Sequence, residues 1–161
     1  FKGFREVCLK IERELCISRW AQLTTLSAVR TLLKARMNQI RGFAFIGAYT
    51  LPFADRSYVI KVESMEQGVT GLREAVVMAL MGPPQTNEAT GELIGWGQDP
   101  YDPSHQAEFM RNQADDQKFD AQFPDHPLSK VRRYLVELEF SVQADPSIRG
   151  LQPFSYPAQG H

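Results

Sequence analysis

The stretch RWAQLTTLSAVRTLLKARMNQI, residues 19–40, decides how the N-terminal third is read. Leu26, Val29, Leu33, Met37 and Ile40 advance through it in steps of three and four, the spacing that sets side chains on one face of a helix. They predict an amphipathic helix over 19–41 that packs on a core and is stopped by Gly42. Arg30, Lys34 and Arg41 fall beside the stripe, and no acidic residue occurs between positions 15 and 54, so the helix is expected to carry a basic ridge.

Upstream, two periods compete. Val7, Leu9 and Ile11 alternate as in a strand, whereas Phe4, Cys8, Ile11 and Leu15 follow a helical stripe; helix is preferred, with 4–17 kept as a candidate extra strand. On one helix Cys8 and Cys16 would stand roughly 12 Å apart, beyond disulfide reach. With no further Cys or His at ligand spacing they read as free thiols of a reducing compartment.

Downstream, residues 43–51 and 57–65 are rich in β-branched and aromatic side chains and flank a short turn at 52–56, which predicts an antiparallel hairpin. A second helix, capped by Thr70, runs through Leu72, Val76, Val77 and Leu80 to Gly82 and two prolines. Leu128, Val131, Leu135, Leu138 and Val142 mark a third, over 127–142, with Pro127 in its first turn and Asp125 or His126 as cap. The predicted fold is α+β: a small antiparallel sheet built around the 43–65 hairpin, with 90–96 as another candidate strand, packed by three or more helices. A single domain over 1–142 includes a long acidic Pro-rich loop at 83–125, and 143–161 forms an extended tail. Its 161 residues suit one domain, and no apolar run is long enough to span a membrane.

Charge is sorted along the chain. Residues 1–41 carry a net +6 and residues 83–127 a net −7, although the whole chain is at −1. Such asymmetry favours electrostatic docking, within the molecule or onto a partner. The acidic segment holds Trp96, Tyr101, Phe119 and Phe123, and the tail holds Phe154 and Tyr156. These are too many large apolar groups for a solvated linker, so both segments are expected to be ordered wraps anchored by their aromatics.

Catalytic chemistry has thin support. Asp99, Asp102 and His105 gather two carboxylates and an imidazole, a set suited to a divalent metal or a general base, but an Asp-Pro turn series explains them as well. Asp115, Asp116, Asp120, Asp125 and His126 match neither an EF-hand nor a zinc motif. Gly95-Trp-Gly97 lacks the third glycine of a dinucleotide fingerprint, and Ser104 beside His105 makes no oriented nucleophile. The expectation is a non-enzymatic interaction or accessory subunit of a larger assembly, without metal or cofactor. Its partner would be a protein, met by Arg30, Lys34, Arg41, Trp96, Tyr101, Phe119, Phe123, Phe154 and Tyr156. The alternatives are a metal-dependent hydrolase using Asp99, Asp102 and His105, and a nucleic-acid-binding module using the basic N-terminal helix, which a pI near 6.4 disfavours.

Overall fold

A computed structural model of the chain describes residues 13–23, 25–37, 41–82, 84–91, 93–97, 99 and 110–155. Four strands, β1 (Arg13–Leu23), β2 (Leu26–Arg36), β3 (Phe43–Pro52) and β4 (Ser57–Met65), form one antiparallel sheet in the order β1-β2-β3-β4. Helix α1 (Leu72–Met81) follows, then 3-10 turns at Gln113–Asp115 and Gln117–Phe119, then α2 (Pro127–Ser141) and a one-turn α3 (Pro146–Arg149). No helix among the described residues is long and apolar enough to cross a membrane.

The helix expected over 19–41 is not formed. That stretch is the β1–β2 hairpin, with Leu23 opposite Leu26 across a two-residue connection. Its supposed stripe splits between the two sheet faces, because alternate residues of a strand point to opposite sides. Strand β2 is buried on both: Ala28, Leu32 and Lys34 on one face, Thr31 and Ala35 on the other. A strand covered on both sides needs a nearly continuous apolar run, and such a run satisfies a helical period by chance. The connection, Thr24-Thr25, also lacks the Gly or Asn that marks a tight hairpin. Strand β1 starts at Arg13 and so overlaps the candidate strand at 4–17, with an irregularity in its register around Cys16. The helical spacing of the two cysteines therefore does not apply; Cys8 lies outside the described residues. The described residues of 90–96 form no strand; Leu93 makes an isolated bridge with Thr86 and, just beyond, Gly97 with Asn112.

The 43–65 hairpin is present as β3–β4. One face of the sheet, carrying Leu32, Phe45, Gly47, Tyr49 and Leu51, packs on α2 through Leu128, Val131 and Leu135. Helix α2 begins as its sequence implies, with Pro127 in the first turn and His126 as cap: Leu128 N donates to His126 Nδ1 at 3.2 Å. Helix α1 is entered differently. Its N-cap is Gly71 in the left-handed region (φ 74°), not Thr70, and Gly71 N donates to Glu66 Oε1 at 3.0 Å. The start of the tail lies against its own domain, Phe53 bridging Pro153 while Ala54 N donates to Gln152 O at 3.0 Å.

Gly47 lets α2 approach the sheet. A Cβ there would stand 2.7 Å from both Leu135 Cδ1 and Val131 Cγ1. Gly47→Ala should therefore destabilise the domain by about 1–3 kcal/mol, the range for overpacking a filled core. Chemical denaturation of the two proteins measures this, and equal midpoints would refute the close packing.

Candidate functional site

Helix α1 reads LREAVVMALM, and Arg73 and Glu74 are its only polar residues. Both turn inward. Arg73 and Val77 are its buried residues, and Glu74 is mostly enclosed. The Arg73 guanidinium donates to Ala114 O at 2.6 Å, Ser129 Oγ at 2.8 Å, and Asp116 O and Asp120 Oδ1 at 2.9 Å each. Arg132 of α2 reaches the same loop, donating to Asp120 Oδ1 at 2.8 Å and to Asp115 O. Two arginines from two helices thus hold the 114–120 turns by carbonyls and one shared carboxylate.

Lys34 forms the second half of this centre. It stands fully buried on β2, its Nζ 2.9 Å from Asp115 Oδ2 and 3.5 Å from Glu74 Oε1, with the Phe43 ring centroid at 4.5 Å. Asp115 is buried too, and its Oδ2 accepts from Asn112 N at 3.0 Å, completing a capping box on the first 3-10 turn. A buried ammonium is tolerated only when carboxylates sit this close. The basic β2 residue and the acidic segment meet inside the domain.

Beside this pair, Glu66 accepts from Phe43 N at 2.9 Å and from Gly71 N, with His126 Nε2 at 3.6 Å. Burial opposes the Glu66 carboxylate, but the His126 ring and the two backbone N–H groups outweigh it and hold its pKa below the usual value. Glu66, Glu74 and His126 bring one donor atom each within 4.8 Å of one another, a spacing worth testing for metal. The tautomer argues against it. A ligating imidazole uses one nitrogen's lone pair and keeps the proton on the other. Here the Nδ1 lone pair is committed to Leu128 N–H, so the neutral ring carries its proton on Nε2 and metal could bind there only if α2 lost its cap. The donor set fits a structural junction, not a metal centre.

The residues singled out by sequence fall in different places. Lys34 is not on an exposed ridge, because its carrier is an inner strand rather than a helix. Arg30 pairs with Glu139 of α2 at 2.8 Å, and the Tyr49 hydroxyl donates to the same carboxylate. Arg41 is exposed. Phe119 is buried with Val77 and Ala114 in a second small core, against which Trp96 and Phe123 are partly buried. Phe154 is half exposed, its N–H donating to Pro52 O at 3.3 Å. Asp99 is buried, while Tyr101, Asp102, His105 and Tyr156 lie outside the described residues. Sequence reading missed Glu66, Arg73, Glu74 and Arg132. The available signal was in α1, where one adjacent Arg-Glu pair interrupts a segment apolar on every side.

With Arg73 and Glu74 inside, the outer side of α1 is apolar. Leu72, Ala75, Val76, Ala79, Leu80 and Met81 are all exposed, Leu72 at 57% and Leu80 at 63%, and Val69 just ahead of the helix reaches 80%. Of the apolar residues that sequence strings along this helix, Leu72, Val76 and Leu80 face out and Val77 is buried.

Two tests address the centre. Lys34→Met strands the buried Asp115 carboxylate and the mostly enclosed Glu74 and should cost about 3–5 kcal/mol; adding Asp115→Asn should recover part of it, as a double-mutant cycle in denaturant would show. Additive losses would refute the pairing. Because the Glu66 pKa is lowered by folding, its contribution is present above the unfolded carboxylate value and is lost as pH falls through the folded one. Glu66→Gln should therefore flatten the acid limb of the melting-temperature profile, and an unchanged limb would assign acid sensitivity elsewhere.

Comparison with known proteins leaves these side chains as the ground for a functional reading: no protein-family model, no curated protein and no solved structure matches the chain.

Proposed function

We propose that this protein is a non-enzymatic interaction or accessory subunit that docks onto a partner protein through the outer side of α1. The observation that carries this is the inverted helix: Arg73 is buried and Glu74 mostly enclosed while Leu72, Val76 and Leu80 face solvent. Soluble proteins rarely expose a contiguous apolar surface without a use for it. Leu72, Val76 and Leu80 lie four residues apart, with Ala75 and Ala79 between them, so large side chains alternate with gaps. That relief suits a second helix packed ridge into groove. No charged side chain of α1 lies on this face, so the occupant is an apolar helix face rather than an acidic or basic segment. The docking expected of Lys34 and Phe119 passes to α1 because both are used within the domain. Arg41 and Phe154 remain accessible for secondary contacts.

A photo-cross-linking side chain at Val76, introduced in cells of the source organism, should capture one protein through a helical segment. Leu72→Ala and Leu80→Ala should each weaken that complex by about 2 kcal/mol, the hot-spot range. The melting temperature of the isolated domain should hold, since both side chains are already exposed. Absence of any cross-link from position 76, or loss of fold in both variants, would defeat this reading.

A further inference from the structure

The segment from 83 to 127 contains only two basic residues, Arg111 and Lys118, and both line one cavity of about 300 Å³. Trp96, Asn112, Gln113 and Asp116 complete its wall together with Gly95. We infer that this cavity is a binding site for a small molecule that joins a planar ring to an oxyanion.

The frame is fixed by the same contacts that close the domain. Gly97 bridges Asn112, Gln113 N donates to Trp96 O at 3.0 Å, and the Gln113 side-chain amide donates to Gly95 O at 2.5 Å. Asn112 Oδ1 accepts from Ala114 N at 2.9 Å, which orients the amide and leaves its NH2 group to donate elsewhere. Through the backbone bond from Asn112 N to Asp115, the rim is tied to Lys34. Trp96 is packed against the small core of Val77, Ala114 and Phe119, so its indole is held in place as a wall for a ring.

The charges select the other end of the ligand. Lys118 Nζ stands 3.9 Å from Asp116 Oδ2, a partial match at the exposed rim. Arg111 makes no ion pair with any described residue, so the lining carries one unmatched positive charge on a planar guanidinium suited to bidentate oxyanions. The volume lies at the small end of ligand cavities, which limits the occupant to about the size of a mononucleotide or an aromatic acid. The oxyanion chemistry is common to a carboxylate and a phosphate ester.

Trp20 and Trp96 are the only tryptophans, so Trp20→Phe leaves Trp96 as the sole indole reporter. In that protein, indole-3-acetate and adenosine 5′-monophosphate are titrated separately against Trp96 fluorescence and by calorimetry, with acetate and inorganic phosphate as ring-free controls. At least one ring-bearing anion should bind saturably at or below about 1 mM, and Arg111→Ala should weaken it tenfold or more. The melting temperature should stay unchanged, because Arg111 makes no ion pair with any described residue. Which probe binds distinguishes the carboxylate source from the phosphate. No saturation by either, equal binding of the ring-free controls, or affinity indifferent to Arg111→Ala would each overturn the site.

Discussion

The ammonium of Lys34 cannot lie where it does without an answer from elsewhere in the chain. It stands on an inner strand of the sheet, out of water, and the carboxylates that match it come from α1 and from the turn at 113–115. Meeting that demand fixes much else. Asp115 must be inside, so the acidic segment folds down onto the sheet; Glu74 must be inside, so α1 is rotated about its axis until its charged side faces the core. Arg73, next to Glu74, goes in with it and is satisfied by the carbonyls of the same turns and by Asp120. Arg132 closes the arrangement from α2.

The rotation of α1 links the buried centre to the outer surface. A ten-residue helix with two polar residues can turn its apolar stripe or its charged side inward, and this domain buries Arg73 with Val77 and leaves Leu72, Val76 and Leu80 outside. The cost of leaving Leu72, Val76 and Leu80 in water is then borne by the free protein and is recoverable on association, at the scale of roughly 1.5–3 kcal/mol for each large side chain fully covered. Ionic anchoring beneath and apolar exposure above are two aspects of one orientation.

Much of this fold is written locally and some of it is not. The β3–β4 hairpin was legible because its two β-rich runs flank a short turn and β4 alternates between covered and wet positions, and α2 because it has one buried and one wet side, with Pro127 and His126 marking where it starts. The β1–β2 hairpin was not: β2 is enclosed on both faces, as β3 is, but its apolar run also satisfies a helical period, and its turn is Thr-Thr. The charge imbalance between the two ends of the chain was visible, but not the partners: nothing near Lys34 in sequence distinguishes a buried ammonium from a solvated one, and Asp115 lies 81 residues away. For α1 the helix is present, but of Leu72, Val76, Val77 and Leu80 only Val77 is buried. Hydrophobic spacing defines a face without saying what it faces; that was settled by Arg73 and Glu74, whose partners come from distant segments.

In evolutionary terms Lys34, Glu74 and Asp115 should behave as one character. Removing Lys34 leaves the buried Asp115 carboxylate uncompensated, and removing Asp115 leaves the ammonium only Glu74 at 3.5 Å, whereas exchanging the set for apolar residues of similar volume is close to neutral. Single steps are therefore barred where the joint change is open, and lineages that drift apart should keep the trio whole or lose it whole. Distant relatives of this chain are better sought by a linked Lys, Glu and Asp on strand, helix and turn than by overall identity.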